Sequence, residues 1–207
     1  MSRLLHISAS PRGAASISLN IAETFLDTYR RTHPGDTVEE YDLWDGSLPE
    51  FGPAAAGAKM TVFGGGTPAG EEAAAWDAVT ATFERFDAYD RYLFSVPMWN
   101  SGVPYKLKQF MDVVSQPGMI FGVHPATGYS HLLTGKRAAV IYTSAVWGPG
   151  LGPEFGADHQ SGFFTGWLRW TGITDVQEIH HHPTLTGDRD LAHKRSRERA
   201  QEVARVF

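Results

Sequence analysis

Residues 1–43 constrain the fold more than any other part of the chain. Arg3–Ile7 is a short apolar run typical of a buried strand. From Ser16 onward, apolar residues recur at three- and four-residue spacing, which is typical of a helix. Thr37–Leu43 predicts a second strand. A strand, a helix and a strand in this order form a βαβ unit, so we expect a parallel sheet covered by helices.

The same alternation continues to the end of the chain, and we expect one domain over residues 1–207 with about five strands and about five helices. Further strands are predicted at Arg91–Pro97, Arg137–Tyr142 and Asp175–His181. Further helices are predicted at Glu71–Phe86, Tyr105–Val114, Ser161–Trp170 and Asp188–Phe207. The Gly- and Pro-rich stretch Leu48–Gly70 is predicted to be a long mobile loop, and Met119–Ser130 a small hairpin.

The composition excludes several classes of protein. The net charge of -5 gives no electrostatic reason to bind nucleic acid or an anionic membrane. The chain has no cysteine, which excludes disulfides, thiolate metal sites and a cysteine nucleophile and fits a reducing cytoplasm. We find no apolar run long enough to span a membrane, and the polar residues among the first ten argue against a signal peptide.

Three loops are candidate ligand sites, because ligands of doubly wound sheets bind beyond the carboxyl ends of the strands. These loops are Ser8–Ser18, Pro97–Gly102 and Thr143–Gly152. The first carries several serines before a helix start, where free amides and the helix dipole attract phosphate. It lacks both the dinucleotide glycine fingerprint and the Gly-Lys-Ser/Thr of triphosphate loops, so it suits a mononucleotide such as FMN. The alternative is plain helix capping by serine.

The second and third loops have the residue types to enclose a flat ring. Pro97 ends a strand, and an aromatic, an amide and a glycine follow it before the next helix. Asn100 offers both a donor and an acceptor. The third loop can close over the other side of the ring. The alternatives are a turn with Trp99 packed in the core, and a third loop that binds nothing.

At these residues the sequence resembles the FMN-dependent NADH-azoreductases of the flavodoxin-like superfamily, which are also NAD(P)H:quinone oxidoreductases. The resemblance covers nearly the whole chain. The segments that carry it are Ser8–Gly13 with Ser16–Ser18, Pro97–Asn100, Leu107–Asp112, Leu133–Ala138 and Gly172–Val176. It implies a flavodoxin-like three-layer sandwich, with a five-stranded parallel sheet and helices on both faces, and a homodimer with two FMN sites at the subunit interface.

The resemblance also implies the residues that hold the cofactor. FMN phosphate is assigned to Ser10, Ser16, Ile17 and Ser18. The residues of the second loop assigned to the ring are Pro97, Met98, Trp99, Asn100 and Ser101. Those of the third loop are Ser144, Ala145, Val146 and Trp147. Three positions depart from the family pattern. Ser101 replaces an aromatic residue, Ile17 replaces a polar one, and Ser-Ala-Val-Trp replaces Ser-Arg-Gly-Gly. These departures favour a specialised substrate.

The expected reaction is a ping-pong cycle in which NADH or NADPH reduces FMN and a quinone or azo compound then takes its place. No side chain is assigned as a catalytic acid. Phe121, Phe163 and Trp167 are predicted to flank the acceptor, and the alternative for each is packing in the core or the dimer interface. A tailoring enzyme for one metabolite, with altered flavin use, is a second hypothesis. A flavodoxin-like electron carrier is a third, but such carriers are more acidic than this chain.

A run of three histidines, His180–His182, raises the question of a metal site. Neighbours in a strand point to opposite faces, so at most His180 and His182 point together. A zinc site needs three or four converging ligands, and no further ligand is apparent. We therefore predict no metal site and an ordinary strand surface.

Overall fold

Five parallel strands form the central sheet of the computed structural model, which describes residues 1–207, and this confirms the predicted sheet. Their spatial order is β2-β1-β3-β6-β7, so the order reverses between β1 and β3. In chain order the strands are β1 (Arg3–Ser8), β2 (Thr37–Asp42), β3 (Arg91–Pro97), the separate hairpin strands β4 (Phe121–His124) and β5 (Gly128–His131), β6 (Arg137–Thr143) and β7 (Asp175–His181).

Helices cover both faces of the sheet, which confirms the flavodoxin-like three-layer sandwich. They are α1 (Ile17–Thr32), α2 (Pro53–Phe63), α3 (Glu71–Asp87), α4 (Tyr105–Val114), α5 (Ser161–Thr171) and α6 (Arg189–Val206). Phe25 of α1 and Val203 of α6 belong to one core cluster, whereas Val79, Phe110 and Phe164 of α3, α4 and α5 belong to the other. None of these helices is both long and apolar enough to cross a membrane.

The three central strands β1, β3 and β6 are buried on both sides because their residues alternate between the two clusters. In β3, Tyr92 and Phe94 pack into the α3–α5 layer, and Leu93 packs into the α1–α6 layer. All three are fully buried. This explains why these central strands appear in the sequence as continuous apolar runs rather than as alternating patterns.

The prediction of a mobile loop over Leu48–Gly70 is wrong, because Pro53–Phe63 forms α2. Pro53 occupies the first turn, where its fixed φ angle suits a helix and its missing N–H removes no hydrogen bond. The alanines that follow are strong helix formers, and Ala55 and Ala58 are buried. Thr61 donates a 3.2 Å hydrogen bond to Glu72 of α3.

The predicted hairpin at Met119–Ser130 is confirmed by β4 and β5, which pair antiparallel from Phe121↔His131 to His124↔Gly128. The amide of Leu132 donates to the carbonyl oxygen of Ile120, which closes the base of the hairpin.

Candidate functional site

The three candidate loops leave the sheet at neighbouring strands. They follow β1, β3 and β6, which lie side by side. The amide of Ala9 donates to the carbonyl oxygen of Ser95 at 3.1 Å, and the amide of Met98 donates to that of Thr143 at 2.7 Å. These bonds bring the three loops together at the carboxyl edge of the sheet, as the sequence predicts.

The first loop buries its serine hydroxyls at the start of α1. Ser10, Ser16 and Ser18 are each at most 4% exposed. Ser16 Oγ accepts a long 3.4 Å hydrogen bond from the amide of Leu19 and lies 3.1 Å from Ser18 Oγ. The amides of Ile17 and Ser18 donate to no protein acceptor. Serine capping of the helix is therefore present but incomplete, and two donors remain for an anion.

The second loop contains a strained two-residue turn. Trp99 and Gly102 exchange both of their backbone hydrogen bonds at 2.9 Å. Between them Asn100 and Ser101 have φ angles of 48° and 66°, in the left-handed region that non-glycine residues seldom adopt. Such strain clusters at ligand sites. The turn leaves the amides of Asn100 and Ser101 without protein acceptors, and Asn100 is exposed.

The third loop is fixed at its base and open at its tip. Ser144 Oγ donates to the carbonyl oxygen of Trp147 at 2.5 Å and lies 2.7 Å from His182 Nδ1. The carbonyl oxygens of Ser144 and Ala145 accept hydrogen bonds from the segment that follows β7. Val146 is 42% exposed, so the tip is free to contact a ligand.

Comparison with known proteins agrees with this geometry. Residues 2–204 match the family described as having a flavodoxin-like fold. The chain is 43% identical over 188 residues to an FMN-dependent NADH:quinone oxidoreductase of Ruegeria pomeroyi, covering 91% of this chain and 92% of the relative. A second enzyme of that description, from Desulfotalea psychrophila, is 38% identical over 206 residues and is matched over 94% of its length by all of this chain. The chain belongs to the flavodoxin-like family of FMN-dependent NADH:quinone oxidoreductases.

Solved structures agree with membership of this oxidoreductase family. The azoreductase from Bacillus anthracis str. Sterne superposes with a TM-score of 0.90 at 25% identity, and each chain covers 100% of the other. The two proteins thus share the fold along their full length.

In this family member a cleft of about 490 Å³ opens beside the second loop. Residues lining it are Trp99, Asn100, Tyr105, Lys108, His159 and Phe163. Of the three aromatic residues predicted to flank the acceptor, only Phe163 borders this cleft. Phe121 packs 5.1 Å from Trp170, and Trp167 Nε1 donates to Ser115 Oγ at 3.0 Å. The role of all three at the acceptor stays a prediction.

Trp44 is a site residue that our sequence analysis missed. Its ring lies 5.6 Å from Trp99 and 5.2 Å from Tyr105, and its Nε1 donates to the carbonyl oxygen of Ala9 at 3.1 Å. It therefore joins the first and second loops. Its position just after β2, at the same edge of the sheet, is the signal that could have identified it.

The histidines point as the alternation rule predicts. The rings of His180 and His182 lie 5.4 Å apart on one face, whereas His181 faces Ser196 of α6. Burial lowers the pKa of His182 to about 4, with a further contribution from His180, while Asp158 opposes the shift. His182 is therefore neutral at physiological pH.

Proposed function

We propose that this protein is an FMN-dependent oxidoreductase that passes electrons from NADH to quinones and aromatic azo compounds. The observation that carries the proposal is that two neighbouring loops each hold two backbone amides without protein acceptors. Those of Ile17 and Ser18 open α1, and those of Asn100 and Ser101 lie in the neighbouring strained turn. Membership of the family and the names of the relatives support the same function.

The residues present fit FMN. The start of α1 offers amides and serine hydroxyls with no acidic residue in its first turn, which suits a phosphate dianion. The departures at Ile17 and Ser101 do not weaken this fit, because each contributes its backbone amide, which any residue but proline provides. Ser144 and the tip of the third loop are proposed to hold the ring from the side opposite Asn100.

When bound, FMN supplies a ring that accepts hydride from a nicotinamide and passes electrons to an aromatic acceptor. The protein's part is to orient the partners and exclude water. Trp99 and Phe163 give the cleft two aromatic walls on which flat rings stack. The cleft beside the second loop is proposed to take donor and acceptor in turn, which is a ping-pong sequence.

We further propose a homodimer with its sites at the subunit interface. A second groove of about 410 Å³, which is mostly apolar, includes Met111, Phe163, Trp167 and Trp170. Phe163 is 46% exposed in the single chain although it is a large apolar side chain. Sedimentation equilibrium tests the proposal, because a mass near twice 22.7 kDa is expected and the monomer mass contradicts it.

Steady-state kinetics test the reaction itself. Rates of NADH oxidation at several menadione concentrations should give parallel double-reciprocal lines and should require FMN. Intersecting lines would contradict the ping-pong sequence, and no FMN-dependent oxidation would contradict the function.

A second candidate is a tailoring enzyme that reduces one particular metabolite. The exposed Val146 and the adjacent Trp147 favour it, because both stand where the family usually has Gly. Comparing menadione, an azo dye and phenolic or quinoid metabolites at equal NADH separates the two. Similar rates with menadione and dye favour the general reductase, and a large preference for one metabolite favours the second candidate.

A further inference from the structure

Lys108 lies at the boundary between the cleft beside the second loop and the apolar groove proposed as the subunit interface. It shares this position with Phe163, and these two residues line both surfaces. Tyr105, Lys108 and Asp112 follow one face of α4 at three- and four-residue spacing, so this face runs from the cleft to the groove. The cleft therefore has a positively charged side chain at its edge.

No acidic residue lines the cleft, whereas two basic ones do. These are Lys108 and His159. The amide of His159 donates to the carbonyl oxygen of Ser101 at 2.9 Å, which ties this residue to the strained turn of the second loop. The carboxylate of the adjacent Asp158 accepts hydrogen bonds from the start of α5 instead. The cleft thus presents positive charge that no carboxylate within its own lining offsets.

The protein partner of Lys108 belongs to the groove and is easily replaced. Lys108 Nζ donates to the two carboxylate oxygens of Asp112 at 2.5 and 2.6 Å. Asp112 lines the groove but not the cleft. The two side chains are 48% and 47% exposed, and ion pairs so open to solvent contribute little to stability. An anionic group on a ligand in the cleft can therefore take Lys108 from Asp112 at small cost.

We propose that Lys108 makes the cleft selective for aromatic acceptors that carry a carboxylate or sulfonate group. Trp99 and Phe163 wall the same cleft, so a flat ring that stacks there has Lys108 beside it. A charge-assisted hydrogen bond from Nζ to the anionic substituent then adds to the stacking, and a neutral acceptor lacks it. This inference rests on the proposed function and deepens it, because it names the substrate class.

The lysine is assigned to the acceptor and not to the electron donor. NADH carries its negative charges on the pyrophosphate, away from the nicotinamide ring that must reach the flavin, whereas Lys108 stands beside the walls on which rings stack. Stopped-flow measurement of the two half-reactions separates these roles. In Lys108→Gln the oxidation of reduced enzyme by an anionic acceptor should slow more than the reduction of the enzyme by NADH does, and the opposite order would overturn the assignment.

A matched pair of azo dyes tests the selectivity itself. Para-methyl red carries one carboxylate, and its methyl ester is the same molecule without the charge. In Lys108→Gln the ratio of kcat/KM for the acid to kcat/KM for the ester should fall about tenfold, mainly through the KM for the acid, and Lys108→Arg should retain most of it.

Two further variants make this test specific. Asp112→Asn should raise the ratio about threefold, because it removes the competing carboxylate from Lys108. Lys106→Gln is the matched control, because it makes the same change of charge on α4 at a residue that lines neither the cleft nor the groove. An unchanged ratio in Lys108→Gln, an equal fall in Lys106→Gln, or no rise in Asp112→Asn would overturn the proposal.

A second readout needs neither a variant nor turnover. Equilibrium dialysis of the oxidised wild-type enzyme should show the acid dye bound about fivefold or more tightly than the ester at low salt, with the difference lost at about 0.5 M salt. Equal binding of the two dyes at low salt would overturn the proposal even if Lys108→Gln fails to fold. Failure of the wild-type enzyme to reduce either dye with NADH would count against the proposed function, whereas dye binding bears on the selectivity alone.

Discussion

Trp44 and Trp99 lie with their ring centroids 5.6 Å apart, at an interplanar angle of 45°. The two indoles belong to loops that follow β2 and β3, on either side of β1. Trp44 Nε1 also donates a hydrogen bond to the carbonyl oxygen of Ala9, in the loop proposed to bind the phosphate. One side chain therefore fixes the spacing between the part of the site proposed for the phosphate and the part proposed for the ring.

Trp44→Leu should weaken FMN binding by about fivefold to tenfold, because it removes one hydrogen bond and an aromatic contact worth roughly 1 kcal/mol together. Fluorescence titration of the apoprotein with FMN measures the effect. Trp76→Leu is the control, because Trp76 packs against the core from α3. If both variants bind FMN as the wild type does, Trp44 does not brace the site.

Ser101→Gly should stabilise the apoprotein by about 1 kcal/mol, because glycine accepts the left-handed φ of 66° without strain. Ser101→Val should destabilise it. The same two substitutions at Ser130, in the exposed strand β5, should have the opposite order of stability, with Ser130→Val more stable than Ser130→Gly. Urea unfolding of the four variants decides this, and the same order at both positions would show that the turn is unstrained.

Ser18→Ala should lower the affinity for FMN about tenfold and leave the affinity for riboflavin within twofold, because only FMN carries the phosphate that this hydroxyl is proposed to bind. Calorimetric titration of the apoprotein with each flavin measures both. Ser47→Ala, in the turn after β2, is the control. An equal loss for both flavins would mean that Ser18 acts on the fold of the loop and not on the phosphate.

Stability should fall below neutral pH because of His6. Burial lowers its pKa from 6.5 to about 4, Arg30 adds to the shift, and the exposed Glu40 at 3.9 Å does not offset it. The imidazole of His6 therefore becomes protonated near pH 6.5 in the unfolded chain but only near pH 4 in the folded chain. The free energy of unfolding should drop by up to about 3 kcal/mol across this interval.

His6→Gln tests that assignment, since its amide can keep the 2.9 Å contact with Ser95 Oγ but does not titrate. Urea unfolding between pH 7 and 4 should show a shallower decline in the variant than in the wild type. His124→Gln, on the exposed hairpin, should leave the decline unchanged. A decline of the same steepness in His6→Gln would assign it to other groups.

The central strands β1, β3 and β6 could be predicted to within a residue or two, because parallel strands buried on both faces are continuous apolar runs. Because ligands of doubly wound sheets bind beyond the carboxyl ends of the strands, three loops that are distant in sequence could then be predicted to lie together. The helix at Pro53–Phe63 could not be predicted in this way, because its glycines and prolines resemble a loop and its alanines carry little periodicity. What reveals it is the packing of Ala55 and Ala58, which no local pattern shows.

Contacts between loops were also beyond prediction. The alternation rule correctly paired His180 with His182, but the partner Ser144 follows a strand nearly forty residues earlier and meets His182 only because β6 and β7 are neighbours, with Thr143 opposite His181. Trp44 was missed for the same reason, because its contact with Trp99 depends on the order of the strands.

Calorimetric titration of the wild-type apoprotein with FMN and with riboflavin tests the central claim most directly. We predict one FMN per chain, bound at least a hundredfold more tightly than riboflavin, because the free amides of Ile17 and Ser18 and the serine hydroxyls act on the phosphate alone. Equal affinities for the two flavins, or no binding of FMN, would contradict the account.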